Sequence, residues 1–473
     1  STLFPYTTLF RSFALGLQHV MAMFIGNLTP LIIVLGVCGL TADAGFGELR
    51  TALLQNAMII AGVVTLVQMF SIGPVGGKVP IVMGTSSGFL GVLNNTVAAC
   101  GGGILAYGAI MGACIVGGIF ESVLGAFLKP LRKFFPPIVT GSVVIAIGLS
   151  LLGVGINYFC GGSGKADYGS LPNLFLGFVV LVVIVLLKHF APQKSILSSS
   201  AILFGILAGY VVAIIMTLTL PHTGIDADGV QYTYSWVVDF AQVKNAAWIA
   251  VPSFIGFGAL SDVKITFQAS AIIPIGIMFI VTAIETVGDI SACIEGGMDR
   301  EATDSELSGG VICDGLGSAF AALFGVLPNT SFSQNVGLVS LTKVVNRFAI
   351  SMGAIFLILC GFCPKIGALM SIMPQSVLGG AAVMMFASIL ISGIQLITKH
   401  PIGSREITII SVAIGLGYGL GATTGATAHL PYYVQLIFGG SGIVPCSLAA
   451  IILNIVLPKE SKPVREMWEL EDK

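Results

Sequence analysis

The sequence predicts an all-α polytopic membrane protein of fourteen transmembrane segments, built as an inverted repeat of seven plus seven, with short extended strands in two broken segments. Three observations lead there. Of 473 residues, 55% are apolar and 9% charged, with a mean hydropathy of +0.99. A soluble domain carries about 25% charged residues, and 21 basic plus 22 acidic side chains are too few to cover a water-soluble particle of this size. Apolar runs of about 20 residues, the length that crosses a bilayer core, recur along the whole chain. Basic residues then fall at the end of every second run. Together these exclude a soluble enzyme and a disordered chain. The net charge of −1, without a basic stripe, excludes a nucleic-acid binder.

Residues 1–12 resemble a translated sequencing adapter and stay outside the fold reading. Clear segments then fall near 13–36, 53–72, 102–128, 137–157, 171–188, 196–219, 265–293, 308–327, 349–372, 376–397, 406–425 and 433–457. Two weaker ones, 79–99 and 328–345, begin beside Pro80 and Pro328 and are interrupted by small polar residues. Counting them as segments 3 and 10 gives fourteen. Lys78, the Lys129/Arg132/Lys133 group, Lys188 with Lys194, Arg300, Lys343 with Arg347, Lys399 with Arg405, and Lys459 with Lys462 and Arg465 then mark the ends of the even-numbered segments. The long loop after segment 7 carries Asp226, Asp228, Asp239 and Asp262 against Lys244 and Lys264. By the positive-inside rule both termini are cytoplasmic, in a multi-pass protein of the cell membrane.

The repeat shows in segments 5 and 12. Pro136-x-x-Val139-x-Gly141, with Ser150 and Gly155-Ile156, recurs 238 residues later as Pro374-x-x-Val377-x-Gly379, with Ser388 and Gly393-Ile394. An odd separation of seven segments inverts the second copy. The broken segments 3 and 10 are also seven apart, and interrupted segments at matching places in two halves point to a transporter's binding site.

Polar groups at membrane depth are the exceptions that carry information, since an ionisable side chain at a helix centre costs about 2.5–3.5 kcal/mol on insertion scales. Glu285 and Asp289 lie four apart on one helical face of segment 8, after an uncharged run from Ile265 to Ile284. Two acids on one stripe suggest a lined cavity, in which Glu285 accepts hydrogen bonds from ligand N–H groups or carries a proton; the alternative, a carboxylate satisfied by a neighbouring helix end, weighs more for Asp289, nearer the cytoplasm. His19 in segment 1 is a packing hydrogen-bonder or an orienting partner of the site. Segment 10 offers Phe332, Ser333, Gln334 and Asn335 after Pro328, and segment 3 offers Thr85, Ser86 and Ser87 after Pro80. Proline and polar residues break the helix there. Extended backbone survives at that depth only within protein or beside a cavity, where its free N–H and C=O groups can read a ligand. Asp314 in segment 9 is a further isolated acid, suited to structural pairing with a core helix.

Nine cysteines without disulfide or zinc spacing imply no redox framework, and Cys360-x-x-Cys363 lies in an apolar run as a pair of small hydrophobes. No P-loop, dinucleotide fingerprint, zinc cluster or nucleophile elbow is present, so no ATP drive, cofactor or enzymatic chemistry is expected.

Gln334-Asn335-x-Gly337-x-x-x-x-Thr342-Lys343 resembles the signature of the nucleobase–ascorbate transporter family. Gln18-His19, Glu285-Thr-x-Gly-Asp289 and Asp314 resemble further family motifs, so the likeness runs from Phe13 to about Lys459. It implies a core domain of 13–128 and 265–372, which holds substrate, and a gate domain of 129–264 and 373–458, which rocks against it and mediates a homodimer; 459–473 is a cytoplasmic tail. It implies that Glu285 and Gln334 hold a nucleobase, helped by main chain near Ser86, Ser87 and Ser333, with His19 and Asn335 supporting affinity. Asp289, Asp314 and Thr85 are site-supporting, and either Glu285 or Asp289 carries the coupling proton. Glutamine in the signature's first place resembles the xanthine and urate branch, where uracil carriers have glutamate. An amide offers donor and acceptor to the mixed edge of an oxidised purine, whereas a carboxylate only accepts. One departure stands out: many members carry an aromatic residue where this chain has Ser87, so stacking falls to Phe332 or Phe89.

The expectation is a proton-coupled importer of xanthine, with urate or guanine as further purines. The rivals are a uracil or pyrimidine symporter, an anion exchanger or channel of the same architecture, and a membrane enzyme, for which no nucleophile–base pair exists.

Overall fold

The computed structural model describes residues 5–192, 195–226, 228–333, 335–336, 339, 344–423, 425–438 and 442–459. It is mostly helical. Helix α1 (Pro5–Val37) is followed by α2 (Gly47–Phe70), strand β1 (Met83–Thr85), α3 (Leu90–Ala99) and α4 (Gly103–Ala126). Next come α5 (Pro137–Phe159), α6 (Leu171–Phe190), α7 (Ala201–Thr219) and a hairpin of β2 (Thr223–Ile225) and β3 (Gln231–Thr233). The second half runs α8 (Ala269–Met298), α9 (Asp304–Leu323), β4 (Asn329–Ser331), α10 (Arg347–Gly361), α11 (Pro364–Ser371), α12 (Gln375–Ile397), α13 (Ser404–Ala422), α14 (Tyr432–Phe438) and α15 (Ile443–Val456).

Among the described residues seven helices are long and apolar enough to cross a membrane; α10 and α11, bent by 82° at their junction, make an eighth if they count as one span. This is a multi-pass membrane protein. The helices sort into two packing groups. In one, α4 lies on α9 and α8, and α10 lies on α2 and α1. In the other, α12 lies along α5 and α6, α7 along α6, and α13 and α15 pack on each other and on α5.

Close crossings occur where glycine replaces a side chain. A Cβ on Gly118 would stand 2.4 Å from the Gly315 carbonyl, and one on Gly315 would stand 2.4 Å from the Gly118 carbonyl, so α4 and α9 touch backbone to backbone. Between α5 and α12, Gly141 meets Gly393 while Gly379 meets Tyr158 and Phe159. The start of each helix thus meets the end of the other, an antiparallel pairing. Helix α9 is fixed at its start by a capping box: Glu306 N–H donates to Thr303 Oγ1 at 3.3 Å, and Thr303 N–H donates to Glu306 Oε2 at 2.9 Å.

Several details differ from the sequence reading. Helix α1 begins at Pro5, so Phe13 is not an element boundary. The long loop holds the β2–β3 hairpin, whose turn is built on Asp226 Oδ1 accepting the Asp228 and Val230 N–H groups. The stretch 246–264 that follows the hairpin lies against α2 and the ends of α9 and α10. Cys360 and Cys363 are free and half-buried, placed at the α10–α11 bend rather than inside a continuous apolar helix.

Candidate functional site

Strands β1 and β4 pair antiparallel deep in the first packing group, with Met83 opposite Ser331, Gly84 opposite Thr330 and Thr85 opposite Asn329. Ser86 N–H to Pro328 O (2.8 Å) and Phe332 N–H to Val82 O (3.0 Å) extend the ladder. Three residues leave too few backbone bonds to hold a sheet alone, and neighbouring helices supply the rest. Asn27 Oδ1 on α1 accepts from Thr85 N–H and Oγ1 at 2.8 and 3.0 Å. Thr65 Oγ1 on α2 accepts from Met83 N–H at 2.9 Å and donates to its carbonyl at 3.2 Å. Ser318 Oγ on α9 does the same for Asn329, at 3.1 and 2.9 Å. The first residue of each strand is therefore clasped by one helical hydroxyl. Gly84 must lack a side chain, because a Cβ would meet Phe332, Met23 and Asn27 within 3.0 Å.

Helix α8 lays its polar stripe across this pair. Ser331 Oγ and Ser333 Oγ donate to Asp289 Oδ2 at 2.6 and 2.9 Å, and Ser333 Oγ lies 3.5 Å from Glu285 Oε1. Thr286 Oγ1 donates to Asp314 Oδ2 at 2.5 Å, and Thr330 Oγ1 donates to the same oxygen at 3.1 Å. Glu285, Asp289 and Asp314 are all buried, and among the described residues none pairs with a lysine or arginine. Asp289 and Asp314 hold β4 to α8 and α9.

Glu285 is different: its Oε2 has no hydrogen-bond partner, nor has the buried Ser86 Oγ on the other broken segment. These two atoms converge. An ideal Cβ on Gly88 would stand 3.4 Å from Ser86 Oγ, 3.6 Å from Glu285 Oε2 and 3.5 Å from the Met278 methyl. A carboxylate acceptor and a hydroxyl with both donor and acceptor capacity thus face one point beside apolar surface. Buried groups without partners are uncommon in folded proteins, and a ligand with matching polar edges would satisfy both.

Of the other candidates, His19 is buried on α1; its carbonyl accepts from Asn335 Nδ2 at 2.9 Å, while His19 Nδ1 and Asn335 Oδ1 are unpartnered. Phe332 packs on Gly84. Phe89 stacks edge-on against Phe279 at 4.8 Å. Thr85 is buried in the ladder and Ser87 is half-buried, its carbonyl starting the turn into α3. Gln334 lies outside the described residues, as do Gly337, Thr342 and Lys343 of the signature. Asn27, Thr65 and Ser318 were missed by the sequence reading, as was Glu121. Glu121 is buried on α4 beside Asp314 and Thr282. An acid within the apolar run 102–128 was the available signal. No group of three or more His, Cys, Asp or Glu residues able to hold a metal occurs among the described residues.

Two short strands paired inside a helical bundle, with unpartnered polar atoms beside them, suit a permease, a protein that passes a solute across the bilayer rather than transforming it. Residues 10–425 match the model Xan_ur_permease, described as "Permease family", and the chain belongs to that family, the nucleobase–ascorbate transporters. It is 35% identical to the xanthine permease of Bacillus subtilis over 96% of this chain and 95% of that protein. It is 34% identical to the uric acid permease PucK of the same organism, over 93% and 94%. A Clostridium perfringens protein named as a purine permease is 38% identical over 97% and 92%. In fold it is similar to the transmembrane domain of the cyanobacterial bicarbonate transporter BicA, with TM-score 0.53, 16% identity, and 94% and 98% of the two chains covered. Murine Slc26a9 in its inward-facing state gives TM-score 0.56 at 10% identity, over 96% and 72%. Homology to xanthine, uric acid and purine permeases makes this chain a nucleobase transporter.

Proposed function

We propose that the chain is a proton-coupled importer of an oxidised purine base, xanthine first and urate or guanine as alternatives. The observation that carries this reading is the convergence of Ser86 Oγ and Glu285 Oε2, both buried and unpartnered, on the space beside Gly88. An oxopurine presents N–H donors to a carboxylate and carbonyl acceptors to a hydroxyl, and Gln334 would complete the edge with an amide. Phe332 supplies the ring face, since Phe89 is already committed to Phe279. Four buried acids without a paired cation around the site support proton coupling, with Glu285 or Asp289 as the carrier.

The reading includes fourteen segments in two inverted halves, a core of 13–128 with 265–372 that moves against a gate of 129–264 with 373–458, of which 246–264 reaches back onto the core, together with cytoplasmic termini and a homodimer through the gate. Two features support the inverted halves. Thr65 in segment 2 and Ser318 in segment 9 clasp the first residues of β1 and β4 in the same way. The glycines shared by the two sequence copies also meet head to tail between α5 and α12.

The test is labelled-xanthine uptake in cells lacking their own carriers, with and without a protonophore. Uptake should collapse with the protonophore, and Glu285→Ala and Gln334→Ala should each abolish it at unchanged expression. Gln334→Glu should weaken purine uptake by roughly tenfold or more, because each buried mismatch costs about 1–3 kcal/mol. Near-normal transport by both alanine variants removes the site assignment, and full competition by uracil replaces the purine with a pyrimidine.

A further inference from the structure

We propose that residues 246–257 form a strap that lies in the interfacial layer of one leaflet, its exposed face covered by membrane lipid, sealing the ends of α9 and α10. The proposal rests on the chain being a multi-pass membrane protein and is independent of which solute it carries.

No charged residue occurs between Lys244 and Asp262. Within that stretch Trp248, Ile249, Val251, Phe254 and Phe257 are 73%, 81%, 80%, 54% and 70% exposed. So large an unbroken apolar patch is unusual on a water-facing surface. The segment is not helical, and irregular backbone is tolerated against lipid only when its polar groups are satisfied within the protein. Here they are. Ala250 N–H donates to the Phe362 carbonyl and Ile255 N–H to the Leu323 carbonyl, both at 3.1 Å. Gln55 Nε2 donates to Ala250 O at 2.9 Å, and Asn56 Nδ2 donates to Ser253 O at 2.9 Å and to Phe324 O at 2.8 Å. The strap therefore supplies donors to carbonyls at the ends of α9 and α10, which a helix terminus leaves open, while two amides of α2 satisfy the strap.

Length gives the reason for such a cover. Helix α10 has fifteen residues before the 82° bend, about 22 Å at 1.5 Å per residue, against a hydrocarbon core of about 30 Å. The strap fills that shortfall and continues the apolar outer face: Phe254 packs on Phe324 at 4.7 Å, and Phe324 on Phe320 at 5.1 Å. Lys365 Nζ sits 5.1 Å from the Trp248 ring and donates to Val243 O at 2.9 Å. An ammonium beside an indole marks the headgroup level, where tryptophan concentrates.

The chain has three tryptophans, so the difference between the parent and a Trp248 variant isolates the emission of Trp248. Purified protein is reconstituted in bilayers with and without lipids brominated near the carbonyl end of the acyl chain, and W248F and W248Y are compared with the parent. The expected result is that bromolipid quenches the parent, that both variants lose this quenchable share, and that the emission assigned to Trp248 by difference resists aqueous iodide. Trp248 emission quenched by iodide and spared by bromolipid overturns the proposal in favour of a water-facing loop. Protection from both quenchers overturns it too, and places protein there, such as a second copy.

Discussion

Gly88 is the residue on which the proposed pocket turns, because a side chain there would reach both unpartnered atoms, Ser86 Oγ and Glu285 Oε2. The distances for an added Cβ, 3.4–3.6 Å, are ordinary contacts. Gly88→Ala should therefore fold and reach the membrane normally, yet reduce uptake by roughly tenfold or more, because the methyl occupies ligand space; unimpaired uptake would place the base elsewhere. Asp314 makes the opposite case. Its Oδ2 accepts from both Thr286 and Thr330, an acceptor function that an amide oxygen retains. Asp314→Asn should keep most of the thermal stability, whereas Asp314→Ala should lose about 1–3 kcal/mol for the hydroxyls left unpaired, measured by thermal unfolding in detergent; equal losses would show that charge, not acceptance, is what holds β4. Glu285 and Asp289 were legible in the sequence because two acids four apart in an apolar helix form a pattern. Glu121 stands equally deep but alone in its segment, and it acquires neighbours only because Gly118 and Gly315 let α4 and α9 touch. A lone polar residue means little until its partner across the crossing is known.

At the scale of elements, the two three-residue strands depend on helices more than on each other. Thr65→Val removes both hydrogen bonds that α2 makes to Met83, and Ser318→Ala removes the matching pair on Asn329. Each should destabilise the protein by about 1–3 kcal/mol, since the backbone groups stay buried, and each should lower uptake. Comparable losses in the two variants are the outcome an inverted repeat requires, and a neutral variant on one side only would argue against equivalence. Prolines followed by small polar residues showed in the sequence that segments 3 and 10 are broken. Their register was not readable, because Asn27, Thr65 and Ser318 lie on other helices and nothing local in sequence links them to Thr85, Met83 or Asn329. The β2–β3 hairpin escaped for a different reason: in a chain dominated by apolar periodicity, Asp226-Ala-Asp-Gly229 read as a polar loop, although an Asp side chain accepting N–H groups two and four residues ahead is a turn-forming arrangement.

At the scale of the molecule, hydropathy and charge made membrane residence legible, and the helices that begin at the Pro136 and Pro374 motifs, α5 and α12, pack antiparallel on each other. Which helices belong to which packing group was not legible, because grouping is set by contacts far apart in sequence, and the strap lying on α2, α9 and α10 shows how a segment can follow one group in sequence and join the other in space. If the groups move against each other during transport, contacts between them must exchange. Lys399, just beyond α12, pairs with Glu295 of α8 at 3.2 Å, with 34% and 44% of the two side chains exposed. A bridge so open to solvent is worth about 0–1 kcal/mol and is screened by salt. One kilocalorie shifts an equilibrium by about fivefold, so the pair can bias the balance between inward-open and outward-open forms but cannot lock it. Glu295→Gln should accordingly change the ratio of base exchange to net uptake by no more than about fivefold. High salt should reproduce that change in the parent and have no further effect on the variant, and the swapped pair Glu295→Lys with Lys399→Glu should restore the parent ratio. A salt-insensitive change of tenfold or more would show that Glu295 acts in the transport path itself and not as a rim contact between the two groups.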